Sequence, residues 1–343
     1  MNEQNRLREF APLLQQYGIE PYFIEDFGNI KKIYSNKGSF ALKSIDAHTG
    51  IDFIKHVQYL YQRGYNRIVP IYPALDGRYG ILSGQRLYYL MPWLPNEAQQ
   101  AYRERSMQMV RELARLHTLS AREVKVDKEE RSEHFEKMTL HYDKNQEFLD
   151  GFIEACEKRT YMSPFELQFC LYYNEISQAV KYSKEKLQEW QEKTKDDEKA
   201  RMVIVHGKLK PEHFVYNENG YGYFINFERA GLGSPIHDLL PFISKMLRTT
   251  PKQNEEAVAT TTHYFKYFPF KPDEKLLFYS YLAHPLQITR VAEAYFNNEK
   301  GRNEYAFSRR LLKEYWHLKN TEYLVIRLAE MDRQAEAQKE GAQ

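Results

Sequence analysis

Two stretches hold most of the residues that could do chemistry. The first is Ala41-Leu42-Lys43, which places an ammonium in a β-rich segment. The second runs from Val205-His206-Gly207-Lys208 through Lys210, Glu212 and His213 to Ile225-Asn226-Phe227-Glu228, with Asp238 beyond it. Zinc ligation by His206 and His213 is disfavoured, because their spacing is not helical and no cysteine or third histidine lies close by. Proton abstraction by Lys208 would require its ammonium to be neutral near pH 7, a large fall in pKa. A hard cation prefers oxygen ligands, whereas His213 offers a nitrogen and Asn226 a neutral amide. What these residue types support is fixed positive charge, from Lys43 in its strand and from Lys208 and Lys210 beside Glu212, with Glu228 as the next acid along the chain.

The surrounding sequence must position these groups. Leu7, Phe10, Leu13, Leu14 and Tyr17 recur at helical spacing and Gly18 can end the turn. PYFIEDF, IKKIYS and SFALKSID follow as short β-rich segments separated by Gly28-Asn29 and Asn36-Lys37-Gly38, which predicts a three-stranded antiparallel sheet carrying Lys43. Ile51, Ile54, Val57 and Leu60 restore helical spacing, and YGILS and LYYLMPW supply two more strands. Past Asn96 the pattern is helical to about Lys195, including LARLHTLS. It then turns briefly to β in MVIV, FVY and YGYFINF, with a turn-like HGKLKPEH after the first and an NENG turn before the last, and is helical again from Pro235 to about Met331. The reading is an α+β protein of two lobes: a β-rich lobe with its hinge over 1–95, a helical lobe over 96–331 and a polar tail over 332–343 that is expected to fray.

Composition narrows the function classes. With 42% hydrophobic residues the chain can bury a large core, and 49 Lys+Arg against 47 Asp+Glu leave a formal charge of +2, no electrostatic reason to expect nucleic acid or an anionic membrane. Cys156 and Cys170 alone cannot make a disulfide framework, which points to a reducing compartment. No stretch approaches the ~18 apolar residues of a membrane span, so cytosolic synthesis without a membrane partner is expected. Tyrosines outnumber phenylalanines, 27 to 20, and their pairs (Tyr59 and Tyr61, Tyr88-Tyr89, Tyr172-Tyr173, Tyr221 and Tyr223) are read first as core and hinge packing. His117 is read as packing the end of its helix, and His134, Glu136 and His141 as a solvated face.

The order of Ala41-Leu42-Lys43, the hinge LYYLMPWLP, Leu116-His117 with Leu119-Ser120, Val205-His206-Gly207, YFINFE and Ser234-Pro235 before Asp238-Leu239 resembles the kinase-like fold. The resemblance is closer to its aminoglycoside phosphotransferase and choline kinase branch, and within that to the spore-coat-associated CotS-like proteins. It implies a small antiparallel β-rich N-lobe and a large, mainly helical C-lobe. It also implies roles. Lys43 matches the lysine that contacts nucleotide phosphates, while His206 and Asp238 match residues that brace the catalytic loop. In H-G-D-x-x-x-x-N the aspartate position carries Lys208 and the asparagine position His213; in I-D-F/W-E the metal-binding aspartate is Asn226. The helix that should hold Lys43 has no glutamate, and Asp52 is a poor register match, so Lys43 is expected to be unpaired or differently paired.

Replacement of three catalytic positions with the scaffold retained implies a pseudokinase with no intact catalytic residue, no metal and no cofactor. The resemblance further implies synthesis in the mother cell, location in the spore coat, other coat proteins as partners, and tyrosines used as interface contacts. In such a fold Lys43, Lys208 and Lys210 face one cleft. Lys208 is expected to replace the metal as a fixed charge, pairing with Glu228 or Glu212 and locking the lobes; the same charges could instead bind an anion such as a nucleotide or sugar phosphate. The alternative is an active small-molecule phosphotransferase that uses ATP and Mg²⁺ with Glu228 or Glu212 in an unconventional role.

Overall fold

The computed structural model describes residues 3–96, 102–248, 253–298 and 303–340. The chain opens with α1 (Glu3–Gln15), β1 (Pro21–Phe27), β2 (Ile30–Ser35), β3 (Gly38–Asp46), α2 (Phe53–Gln62), β4 (Ile81–Ser83), β5 (Arg86–Pro92) and α3 (Tyr102–Ser120). It continues with β6 (Arg122–Lys125), α4 (Lys128–Glu157), α5 (Pro164–Thr194), β7 (Lys199–Val205), a 3-10 turn at Pro211–His213, β8 (Phe214–Tyr216), β9 (Gly222–Phe224) and β10 (Gly231–Gly233). Helices α6 (Ile236–Leu247), α7 (Glu255–Tyr267), α8 (Pro272–Ala283), α9 (Leu286–Asn297) and α10 (Glu304–Glu340) complete it.

Residues 1–121 and 203–233 form one compact unit. Its sheet is antiparallel in the order β1-β2-β3-β5-β4. The β1–β2 connection is the two-residue Gly28-Asn29 turn, with Gly28 at φ +74°, a left-handed conformation that suits glycine. The apolar stripe of α1 lies on the sheet: Phe10, Leu13, Leu14 and Tyr17 share a core with Ile24, Ile33, Leu42 and Leu90. Along β3 the pairing places Lys43 opposite Tyr89 of β5. Directly paired residues project to the same face, so the ammonium and the phenol are neighbours by register. Phe53 at the start of α2 packs on the Tyr89 ring, centroids 5.7 Å apart, and fixes where its hydroxyl points.

This unit extends past the boundary read near residue 95 to take in α3 and the 203–233 segment, and specific bonds hold both there. Tyr65 donates its hydroxyl to the Glu112 carbonyl at 3.0 Å. Ser120 accepts from the Ile204 amide at 3.0 Å while donating to the Leu116 carbonyl at 2.8 Å. The 67–69 segment bonds to β9 in both directions, Phe224 N to Arg67 O at 2.8 Å and Val69 N to Phe224 O at 2.9 Å. β8 pairs with β9, and residues 203–205 of β7 pair with β10. The strand read through YGYFINF ends at Phe224. Asn226, at φ +69°, turns the chain out of extended geometry, a conformation asparagine tolerates better than most residues.

Residues 122–202 and 234–343 form the second unit, mainly helical. The long helix α5 starts at a capping box in which Ser163 and Glu166 exchange side-chain-to-backbone bonds, with Pro164 at the first helical position. Leu149, Phe152 and Cys156 of α4 meet Phe165, Phe169 and Ile176 of α5 in an aromatic-rich core, joined by Val291 and Tyr295 of α9. The short strand β6, absent from the sequence reading, pairs with residues 199–202 of β7. The expected tail also differs: α10 runs on to Glu340, since Arg333 to Glu340 contains only good helix formers. Among the described residues no helix is long and apolar enough to cross a membrane.

Candidate functional site

The site is built inside the first unit. Lys43 donates from Nζ to Glu228 Oε1 and to Asn226 Oδ1, the latter at 2.5 Å. Tyr89 donates its hydroxyl to the same Glu228 oxygen at 2.5 Å. The Lys43 and Glu228 side chains are only 12% and 13% exposed, which makes this a largely desolvated pair. Burial pulls the Lys43 pKa down; Glu228 opposes that shift and the charge of Lys208 adds to it. The same burial pushes the Glu228 carboxyl up, but the Lys43 charge and the bonds from Lys43 and Tyr89 outweigh it and leave it below the usual range. Burial, reinforced by Glu228, raises the Tyr89 phenol well above its ordinary value, so Tyr89 stays a donor.

This arrangement answers where the partner of Lys43 lies. Asp52 is exposed and pairs with Lys55 at 2.7 Å, and the lysine is held instead by the acid of the INFE segment. It also corrects the expected pairing of Lys208 with Glu228 or Glu212. The Glu228 oxygen that would receive Lys208 is taken by Lys43 and Tyr89, and no ion pair joins Lys208 to either acid among the described residues. Lys43, anchored by strand register and the turn at Asn226, reaches the carboxylate first.

The loop that follows β7 is braced by its histidines. His206 is fully buried; its Nε2 lies 2.8 Å from the Ile225 carbonyl and its Nδ1 accepts from the Lys208 amide at 3.3 Å. In these two bonds Nε2 faces the carbonyl as donor and Nδ1 faces the amide as acceptor. His213 stacks on His206, ring centroids 5.6 Å apart, and its Nδ1 lies 2.8 Å from the Lys208 carbonyl. Gly207, at φ +77°, sits where a Cβ would come 2.1 Å from the Arg229 carbonyl oxygen, so the loop and the 227–229 turn touch backbone to backbone. Asp238 belongs to the second unit, buried in the first turn of α6.

Burial lowers the His213 pKa to about 4, with the His206, Lys43 and Lys208 charges acting in the same direction and the bond to the Lys208 carbonyl opposing them. His213 is therefore neutral at pH 7, donating through Nδ1. An NMR titration of its ring is expected to show a midpoint near 4, and a midpoint near 6.5 would disprove the packing described. The unfolded chain takes up this proton first as the pH falls, so the group's contribution to stability is lost between about pH 6.5 and 4.

The residues present do not fit a Mg²⁺ ion. The oxygen of Asn226 that would face a metal already accepts from the Lys43 ammonium, Glu228 is neutralised by the same group, and His213 offers nitrogen in place of oxygen. Among the described residues there is no cluster of three or more histidines, cysteines or acids able to hold a metal. The β1–β2 turn, two residues long, is also too short to wrap phosphates. Tyr89 and the left-handed Asn226 were missed by sequence reasoning. The signal for Tyr89 was available in the pairing of SFALKSID with LYYLMPW; none existed for the turn.

An antiparallel N-terminal sheet, a histidine-braced loop after β7 and a largely helical C-terminal region define a protein kinase-like fold. The chain belongs to the phosphotransferase enzyme family, whose pattern it matches over residues 33–274. Among solved structures, an aminoglycoside phosphotransferase from Alicyclobacillus acidocaldarius superposes with a TM-score of 0.69 at 14% identity, covering 92% of this chain and 95% of that one. Spectinomycin phosphotransferase APH(9)-Ia, in complex with ADP and spectinomycin, gives 0.53 at 12%, covering 94% and 99%. A microcompartment-associated aminopropanol kinase gives 0.52 at 13%, covering 93% and 97%. At these identities the likeness establishes the fold. No curated protein matches the sequence significantly.

Proposed function

We propose that this chain is a pseudokinase: a member of the phosphotransferase family that binds and assembles rather than transferring phosphoryl groups. The observation that carries the reading is the captured lysine. Phosphoryl transfer requires a lysine free to meet the nucleotide phosphates and carboxylates that hold Mg²⁺. Here Lys43 is bound to Glu228 and to the amide of Asn226, and the base position is a lysine. The ammonium of Lys43 does internally what a metal does in a working site, bridging Asn226 and Glu228.

Its motif resemblance to CotS-like proteins supports a place in the spore coat, assembled with other coat proteins. Tyr22, Tyr161, Tyr221 and Tyr305 are at least half exposed and offer contact sites for such partners, while Tyr89 and Tyr216 serve the interior. No cofactor is required in this reading. An anionic small molecule could still meet Lys208, which carries no acidic partner among the described residues.

The test is a γ-phosphate transfer and ATP-hydrolysis assay with Mg²⁺ on the full chain, beside a variant carrying Lys208→Asp, His213→Asn and Asn226→Asp. The wild type is expected to show no turnover with aminoglycosides, choline or water as acceptor. Wild-type turnover that disappears on Lys208→Ala would overturn the proposal in favour of an active small-molecule phosphotransferase. The coat placement is tested separately, by whether the tagged chain enters the coat fraction of sporulating cells; its exclusion would remove that part alone.

A further inference from the structure

In its first turns α10, a helix of the second unit, leaves one face open to solvent. Tyr305, Arg309, Leu312, Lys313 and Trp316 recur at three-and-four spacing and are all exposed, Tyr305 by 70% and Leu312 and Trp316 by 38% each. The packed side of the same turns is different: Leu311 and Leu318 enter the aromatic-rich core. Helix α5 lies alongside, joined by the stack of Tyr172 on Tyr315 with ring centroids 3.6 Å apart, and leaves Leu167 and Leu171 more than half exposed. A tryptophan, a tyrosine and leucines gathered in water on neighbouring helices are not accounted for by packing.

Every exposed charge over 305–316 is positive. Arg309, Arg310 and Lys313 form no ion pair among the described residues, and Arg309 lies over the Tyr305 ring, 5.5 Å from its centroid. The acids on this helix pair are occupied elsewhere. Glu304 accepts from the Tyr295 hydroxyl at 2.6 Å, Glu314 pairs with Arg248 at 3.5 Å, and Glu175 takes the Tyr315 hydroxyl at 2.6 Å and Lys319 at 3.5 Å. The formal charge of +2, read above as giving no reason to expect an anionic membrane, is an average over the chain that conceals this face.

We infer that the outer face of α10 docks on an anionic lipid surface. Free cations call for anionic groups, and the aromatic and leucine side chains beside them call for an apolar layer at the same level. A bilayer interface supplies both: headgroup phosphates meet the guanidinium and ammonium groups, while Trp316, Tyr305 and Leu312 enter the boundary beneath. The face is the convex side of one helix, about 16 Å from Tyr305 to Trp316, and a lipid surface needs no matching groove to receive it. The inference uses none of the residues of the pseudokinase reading and does not depend on it.

The test is co-sedimentation of the full chain with vesicles of phosphatidylcholine alone, or with about one-third phosphatidylglycerol, in about 0.1 M salt. The anionic vesicles are expected to bind the chain, the neutral ones at least about tenfold more weakly, and about 1 M salt to release it. Arg309→Gln, Arg310→Gln and Lys313→Gln together should lower partitioning by about a hundredfold and leave the melting temperature unchanged, since the three cations hold no partner. Arg122→Gln, Lys125→Gln and Lys128→Gln remove the same charge from β6 and the start of α4, and should change partitioning by no more than about twofold. Anionic vesicles should also shift tryptophan emission to the blue in the wild type and not in Trp316→Phe. Absence of binding to the anionic vesicles, equal losses in the two triple variants, or a blue shift retained in Trp316→Phe would overturn the inference. So would a lowered melting temperature in the first triple variant, or binding to poly-L-glutamate in preference to vesicles, which would assign the face to an acidic protein segment.

Discussion

Replacing Glu228 with alanine is expected to destabilise the protein by about 3–5 kcal/mol, measured by urea unfolding at pH 7. The magnitude follows from what the substitution leaves behind. Lys43 and Glu228 are 12% and 13% exposed, so removing the carboxylate strands a desolvated ammonium and takes the acceptor from Tyr89. Surface pairs such as Lys55 with Asp52, 80% and 84% exposed, are screened by water and would respond far less. The loss should be largely reversed when Lys43→Met is combined with Glu228→Gln, because the double variant carries no buried charge and still offers Tyr89 an oxygen. A Glu228→Ala cost near 1 kcal/mol would show that water reaches the pair and that Lys43 is available to a ligand. The pH dependence has a definite sign. Glu228 titrates below its ordinary 4.5 in the folded chain, so its contribution is complete at neutral pH and is lost as the pH falls through the folded value.

That pair explains how much could be read from the sequence. The strands around Gly28-Asn29 and Asn36-Lys37-Gly38 were legible because turn chemistry and period-two alternation are local properties. So was Lys43, which the register then placed beside Tyr89. The departures of Lys208, His213 and Asn226 from the resembled motif were legible too. What they do in the fold was not. The partner of Lys43 is 185 residues away, and its approach depends on the left-handed turn at Asn226, which no local pattern announces. Sequence reasoning paired the nearest cation, Lys208, with Glu228 or Glu212, whereas the backbone delivers Lys43 to Glu228. Strand β6 was missed for a related reason, since four residues between two helices carry too little periodicity to be separated from them.

Gly207→Ala is expected to be of similar severity, about 3–5 kcal/mol, and a comparison with Gly28→Ala identifies why. Both glycines are left-handed, at φ +77° and +74°, so an alanine at either bears the conformational cost of about 1–2 kcal/mol. They differ in surroundings. A Cβ at position 28 meets nothing within 4 Å, whereas at position 207 it would lie 2.1 Å from the Arg229 carbonyl oxygen and 2.8 Å from its carbon. Neither atom belongs to a flexible side chain, so the backbone of the 227–229 turn must move, and Glu228 stands in the middle of it. Gly207→Ala should therefore do more than destabilise: the Lys43–Glu228 coupling energy, read by a double-mutant cycle in that background, should fall towards zero, while in Gly28→Ala it should keep its wild-type value. Equal costs for the two substitutions, or an unchanged coupling with alanine at 207, would separate the loop's close approach from the capture of the lysine. Gly207 is thus explained by packing alone: it lets the loop lie against the turn that presents Glu228 to Lys43.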